Sequence, residues 1–323
     1  MFAPDAESLA MKPLATKHLL AIEDLTPDEI HRVLDAARSF KEVNNRPIKK
    51  LPTLRGRTVV NLFLENSTRT RTSFELAAKR LSADGINFSA SASATSKGES
   101  LVDTAQTLNA MNLDMVIIRH SFAGSPYILT QHMEAHIING GDGKHQHPTQ
   151  ALLDLFTIRE HFGHIDGLKV AIVGDICHSR VFGSLAPGLR MMGAEVTAIA
   201  PPTLMPAAPE VLGARSLYSL DAELESFDVV YMLRIQQERI ERAPFPTLRE
   251  YARLYGIGRD RLARIKPGGI IMHPGPVNRG VELTSEAIDT AQNLLLYQVN
   301  AGVAVRMALM YLLMGGGQDA SDA

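Results

Sequence analysis

Thr58-Val59-Val60-Asn61-Leu62-Phe63-Leu64, followed shortly by Ser67-Thr68-Arg69-Thr70-Arg71-Thr72, is the stretch from which the fold is read. The first segment is an apolar, β-branched run of strand length. The second opens a segment with Phe74, Ala77, Ala78 and Leu81 on one helical face. A strand handing over to a helix is the repeating unit of parallel α/β sheets. The junction also gathers hydroxyls, guanidinium groups and the unpaired N–H groups of a first helical turn. A helix N-terminus carries about half a positive charge and attracts anions, most often phosphate. Two arginines alternating with threonines strengthen that attraction and permit a bidentate grip. Taken alone, the same run also suits a solvated helix start.

The rest of the chain repeats the alternation. Strands are expected at 58–64, 86–89, 114–118 and 136–139, with helices at 70–82, 99–111 and 124–134. A helix at 148–161, opened by Pro148, leads to strands at 169–173, 195–199, 228–232 and 269–272. Helical patterns near 181–192, 206–213, 221–226, 248–264 and 284–313 separate or follow them. Before all of these, Thr26-Pro27 with Glu29 forms a capping box for a first helix. At 323 residues the chain exceeds the size at which single cores stop growing, about 250–300 residues. The fold class is therefore α/β with two domains, each a parallel β-sheet flanked by helices. The expected division is 1–147, completed by a C-terminal helix over about 303–323, and 148–302.

Composition narrows the partners. With 33 basic and 35 acidic residues the formal charge is −2, which gives no electrostatic case for nucleic acid or membrane binding. The single cysteine, Cys177, excludes an intrachain disulfide and suits a reducing cytoplasm. It is expected to be a small buried or half-buried residue. Asp5 and Glu7 interrupt any apolar leader, and residues 1–16 are expected to dangle. The apolar stretch from Val303 to Met314 is too short to span a bilayer and contains Arg306.

The unusual polar residues fall on this map in one pattern. Ser67 to Arg71, Ser93 to Glu99, Arg119 with His120, and Gly140 to Gln150 each follow a predicted strand. So do Arg180, Arg234 with Gln236, and His273-Pro274-Gly275-Pro276. Open parallel sheets bind ligands past the carboxyl ends of their strands, so these residues mark a site. Arg69, Arg119, Arg180 and Arg234 imply substrates with several negative charges. His147, just before a proline at a helix start, is placed to donate to an oxygen beside the anion, with Gln150 on the same side. No nucleophile presents itself, since Ser67 lacks a G-x-S-x-G elbow. His145 and His147 lack zinc-site spacing, and neither G-x-G-x-x-G nor a Walker A motif is present. No metal and no cofactor are expected. The chemistry left is positioning plus stabilisation of a developing oxyanion.

Here the residues carry a family resemblance. Ser67-Thr68-Arg69-Thr70-Arg71 with Ser73-Phe74-Glu75 resembles the carbamoyl-phosphate signature of the aspartate/ornithine carbamoyltransferases. His147-Pro148-Thr149-Gln150 resembles that family's second motif. Ser96-Lys97-Gly98-Glu99 and Arg234-Ile235-Gln236 with Glu238-Arg239 resemble the aspartate branch, and His273-Pro274-Gly275-Pro276 lacks the cysteine typical of the ornithine branch. The resemblance runs from about 18 to about 314.

The resemblance implies transfer of the carbamoyl group of carbamoyl phosphate to the amine of L-aspartate, an early step of pyrimidine (UMP) synthesis. It implies phosphate contacts from Ser67, Thr68, Arg69, Thr70 and Arg119. The carbamoyl oxygen would be polarised by Thr70, Arg119 and His147, and the carbamoyl amine held by Gln150 and carbonyls near Gly275 and Pro276. Aspartate would dock on Arg180, Arg234 and Gln236. It further implies a homotrimer with sites between domains and between subunits, a neighbour donating Ser93 and Lys97. Larger assemblies with a dihydroorotase-like or regulatory chain occur in the family. The residues leave three other readings open: a carbamoyltransferase with another amine acceptor, a nucleotide-binding oxidoreductase, and a non-catalytic subunit.

Overall fold

The computed structural model describes residues 12–44, 46–89, 100–235, 247–290 and 292–315. The chain divides into two units: one runs to Phe156 and resumes at Val299, the other spans Thr157–Gln298.

In the first unit, α1 (Pro27–Val43) precedes β1 (Thr58–Phe63), α2 (Thr68–Arg80), β2 (Asp84–Ser89), α3 (Leu101–Asn109), β3 (Met115–His120), α4 (Ser125–Thr130), β4 (His136–Asp142) and α5 (Pro148–Phe162). Its sheet is wholly parallel, in the order β2-β1-β3-β4. Central strands of such a sheet are covered on both faces, so they read as continuous apolar runs. Val60, Leu62, Val116, Ile118 and Ile137 accordingly form the core with Leu20, Leu108 and Leu129. The outer edge of β4 is closed by the chain before α1: Leu19 N–H donates to Ile137 O (2.9 Å) and Asn139 N–H to Leu19 O (2.8 Å). The capping box forms as expected, Thr26 accepting from Glu29 N and Glu29 from Thr26 N.

The second unit continues with β5 (Lys169–Val173), α6 (Arg180–Met191), β6 (Glu195–Ile199), β7 (Ala214–Leu217), β8 (Val229–Met232), α7 (Leu248–Tyr255), α8 (Arg259–Leu262), β9 (Ile270–Met272) and α9 (Ser285–Ile288). Its parallel sheet has the order β7-β6-β5-β8-β9. The final helix, α10 (Leu295–Leu313), begins at the end of this unit and belongs mostly to the first.

Several expectations are corrected. The pattern over 284–313 is two helices, because residues 292–294 run beside β9: Ile271 N–H donates to Gln292 O (2.8 Å) and Leu294 N–H to Ile271 O (3.0 Å). The pattern over 248–264 breaks at Gly256-Ile257-Gly258, where Ile257 N–H pairs with Glu282 O, and a Cβ on Gly256 would stand 2.5 Å from Val281 O. Helices near 206–213 and 221–226 are only short 3₁₀ turns, and β7 was not foreseen. Residues 12–16 do not dangle. Leu14 is buried and its N–H donates to Leu312 O (3.2 Å), while Arg32 Nη1 donates to Pro13 O (2.8 Å). Ser100 caps α3, in a box with Asp103. Cys177 is exposed rather than buried.

The last helix is longer than its apolar stretch suggested. At 19 residues it is long and apolar enough to cross a membrane, yet most of it is buried within the protein, as a core helix is. Its guanidinium explains why this is a core position and not a lipid-facing one. Arg306 is 4% exposed; Nη1 donates to Ser73 Oγ (2.8 Å) and the group lies 5.0 Å over the Phe74 ring. Gly302 makes room, since a Cβ there would fall 2.6 Å from Arg306 Nη1. Burial pulls the guanidinium down to about 10, with buried Asp154 opposing, so Arg306 stays charged at neutral pH. Losing a hydrogen bond made by a charged group typically costs about 1.5–3 kcal/mol. Arg306→Met is expected to lose that much in urea unfolding; a variant within 1 kcal/mol (roughly the spread for benign substitutions) would mean the buried charge is not structural.

Candidate active site: residues where strand order reverses

In the first sheet, the connection from β1 goes to one side and the chain returns to β3 on the other. Such a reversal leaves a crevice at the carboxyl ends of the two strands. The residues there are Ser67 to Arg71 after β1 and Arg119 near the end of β3, with Phe63 paired to Arg119 in register. Leu64 N–H donates to Arg119 O (2.9 Å), so the segment leading into α2 runs beside Arg119.

The start of α2 is left open for an anion. Its cap Ser67 makes no side-chain bond to the helix, and the first turn contains no acidic residue. Ser67 is half-buried, Thr68 and Arg69 are exposed, and Thr70 is buried. Arg119 reaches along the sheet: Nη1 donates to Gly140 O (3.2 Å), and Nε lies 3.4 Å from the Glu65 carboxylate. Arg119 is thus on a strand, not in the loop expected for it. His147 is buried just before α5, and its carbonyl accepts from Gln150 N (2.9 Å). Gln150 Nε2 donates to Asp154 (3.1 Å), the same acid whose field acts on Arg306. Burial lowers the neighbouring His120, against the pull of Glu65 and Asp142.

The second sheet reverses between β5 and β8, and two further arginines lie there. Arg180 is buried as the first residue of α6, where the capping Ser179 Oγ accepts from Phe182 N (3.1 Å). The turn before it is pinned by buried Asp175, which accepts from His178 N (3.2 Å) and lies 2.8 Å from His178 Nδ1. Arg234 is half-buried just past β8. Next to it, Ile235 N–H donates to the buried Glu282 carboxylate (2.8 Å), which also accepts from Asn278 N (2.6 Å) and Nδ2 (2.7 Å). Burial nevertheless pushes Glu282 up, outweighing those donors. Gly275 N–H donates to His273 Nδ1 (2.8 Å), fixing the turn that presents half-buried Gly275 and exposed Pro276. Ser93, Lys97 and Gln236 lie outside the described residues.

Sequence reading missed Glu65, Asp142, Asn278 and Glu282. Their signal is burial among backbone donors, which no spacing reveals; Asp142 alone stood within a stretch already singled out.

The geometry defines an α/β protein of two units, each gathering arginines at the reversal of its own parallel sheet. Residues 17–160 match the aspartate/ornithine carbamoyltransferase carbamoyl-P binding domain, and residues 166–313 the Asp/Orn binding domain of the same family. The chain is 56% identical over 304 residues to the aspartate carbamoyltransferase catalytic subunit of Acidothermus cellulolyticus, covering 94% of each. Among solved structures, it resembles Trypanosoma cruzi aspartate transcarbamoylase in complex with carbamoyl phosphate and aspartate (TM-score 0.83, 29% identity, 95% and 98% covered). The catalytic subunit of M. jannaschii aspartate transcarbamoylase matches with TM-score 0.80 and 35% identity, over 95% of this chain and all of that one. The chain belongs to the aspartate/ornithine carbamoyltransferase family.

One position tests how tightly the turn after β5 is built. Gly174, the residue after β5, has φ +131°, and a Cβ there would sit 3.1 Å from both Leu233 Cβ and Tyr251 Oη. Gly174→Ala combines backbone strain with that collision and should cost about 1–3 kcal/mol. An unchanged urea midpoint would show that the turn has slack.

Proposed function

We propose that this enzyme transfers the carbamoyl group of carbamoyl phosphate to the amine of L-aspartate, giving N-carbamoyl-L-aspartate and phosphate. One observation carries the reading: an uncapped, acid-free helix start beside Arg119 in one unit, and two arginines held at the reversal of the other sheet. A donor bearing phosphate suits the first, and a dicarboxylate acceptor suits the second.

In this proposal Ser67, Thr68, Arg69, Thr70 and Arg119 hold the phosphate. Thr70, Arg119 and His147 polarise the carbamoyl oxygen, while Gln150 and the carbonyls at Gly275 and Pro276 hold the carbamoyl amine. Arg180, Arg234 and Gln236 take the two carboxylates of aspartate. The aspartate nitrogen attacks the carbamoyl carbon, the carbon–oxygen bond to phosphate breaks, and the departing phosphate accepts the amine proton. No covalent enzyme intermediate is required, and stabilisation of the developing oxyanion supplies the rate. The unit ending at Phe156 and resuming at Val299 is the carbamoyl-phosphate domain and the other the aspartate domain. The proposal extends to a homotrimer in a reducing cytoplasm, serving pyrimidine synthesis, with Ser93 and Lys97 acting on a neighbour's site.

Phosphate release from carbamoyl phosphate, assayed with L-aspartate, L-ornithine or no acceptor, is the direct test. Aspartate-dependent release with carbamoyl-aspartate formed is expected; dependence on ornithine would overturn the roles of Arg180 and Arg234. Arg69→Ala and His147→Ala should each lower turnover about 10²–10³-fold while leaving the fold intact, and near-full activity in either would remove that residue from the site. For the shared site, inactive Lys97→Ala chains mixed with inactive Arg69→Ala chains should regain partial activity as hybrid trimers. Hybrids that form but stay silent would count against donation of Lys97 by a neighbour.

A further inference from the structure

We infer that Asp142 is the positioning residue that holds His147 and Arg119 in the geometry carbamoyl transfer needs, a role that rests on the function proposed above. Asp142 is the last residue of β4 and its side chain is 0% exposed. A buried carboxylate is costly unless donors surround it. Here Oδ1 accepts from Asn139 Nδ2 (2.8 Å) and Gln146 N (3.1 Å), and Oδ2 accepts from Gly124 N (2.7 Å) and lies 3.1 Å from His145 Nδ1.

Those partners surround the segment that presents His147. Asp142 N–H donates to Gln146 O (3.2 Å) while the Asp142 carboxylate takes the Gln146 N–H, so the residue before His147 is held at both its amide and its carbonyl. The same residue is tied outward by Gln146 Nε2 to Glu23 (3.1 Å). The other arm reaches Arg119. Asp142 orients Asn139, whose Oδ1 accepts from Gly141 N (2.8 Å), and between these two lies Gly140, whose carbonyl takes the Arg119 guanidinium. The turn is tight enough to require glycine at 143. There φ is +49°, and a Cβ would fall 2.8 Å from Ala123 N. One carboxylate therefore fixes the backbone behind two of the three proposed oxyanion donors without itself facing the substrate.

Asp142→Asn keeps the size of the side chain but replaces one acceptor oxygen with an NH₂ group, which cannot accept from an N–H and must push it away. A misplacement of about 1 Å in a catalytic group costs about 100-fold. In the full-length enzyme, D142N is expected to lower kcat about 100-fold and to leave the KM for L-aspartate within roughly threefold, because Arg180 and Arg234 belong to the other unit. A fall in kcat confined to loss of folded protein, or kcat within threefold of the parent for folded D142N, would overturn the role. Should D142N fail to fold, Asn139→Ala removes one donor to the carboxylate and the acceptor for Gly141. It is expected to lower kcat about tenfold, and kcat within twofold would overturn the role equally. A parent enzyme without aspartate-dependent phosphate release would instead overturn the proposed reaction, and the role of Asp142 with it.

Discussion

Within each sheet every described strand runs parallel to its neighbours, and the rest of each unit follows from that constraint. Parallel strands must be joined by crossovers, and their helices cover both faces of the sheet. All carboxyl ends then lie along one edge. Where the strand order reverses, the helices before and after the reversal go to opposite faces and leave that edge open. In the first unit the opening falls between β1 and β3, and in the second between β5 and β8. Arg119 and the start of α2 stand at one opening, Arg180 and Arg234 at the other. The charged residues need no dedicated cradle, because the topology has already cleared the space.

The openings are held in shape by buried charge. Arg306 under α2, Asp142 behind His147, Asp175 before Arg180 and Glu282 beneath Ile235 are all shielded from water, and each takes or gives hydrogen bonds to a chain that presents a site residue. Buried charges are weak devices for stability and better ones for fixing a single geometry. Arg306 and Asp142 serve the first sheet, Asp175 and Glu282 the second.

What was legible in the sequence is what depends on near neighbours. The strand-to-helix junction at Ser67, the capping box at Thr26 and the apolar runs of β1, β3 and β5 are local patterns, and they appear where expected. Arg180 and Arg234 were legible because both follow strands in sequence. What failed depends on distant partners. β7, Ala-Arg-Ser-Leu, has too little apolar alternation to announce itself and is a strand only because β6 pairs with it. The helix expected over 284–313 was interrupted by β9, and that over 248–264 by the chain around Glu282. Asp142 and Glu282 look like ordinary loop acids until burial reveals what surrounds them.

The path of α10 has a consequence for the order in which the protein can be made. The second unit, Thr157–Gln298, is continuous in sequence, whereas the first is completed only by residues from Val299 onward. Leu14 pairs with Leu312, the ring of Phe40 meets that of Tyr311 edge-on, and Ser73 receives the Arg306 guanidinium. On a ribosome the chain emerges from its N-terminus, and units fold as their residues appear. The unit begun first is therefore the one completed last. Until α10 emerges, α2 has no guanidinium beneath it, and a chain truncated before Arg306 would carry the whole Ser67–Arg71 run yet lack its support.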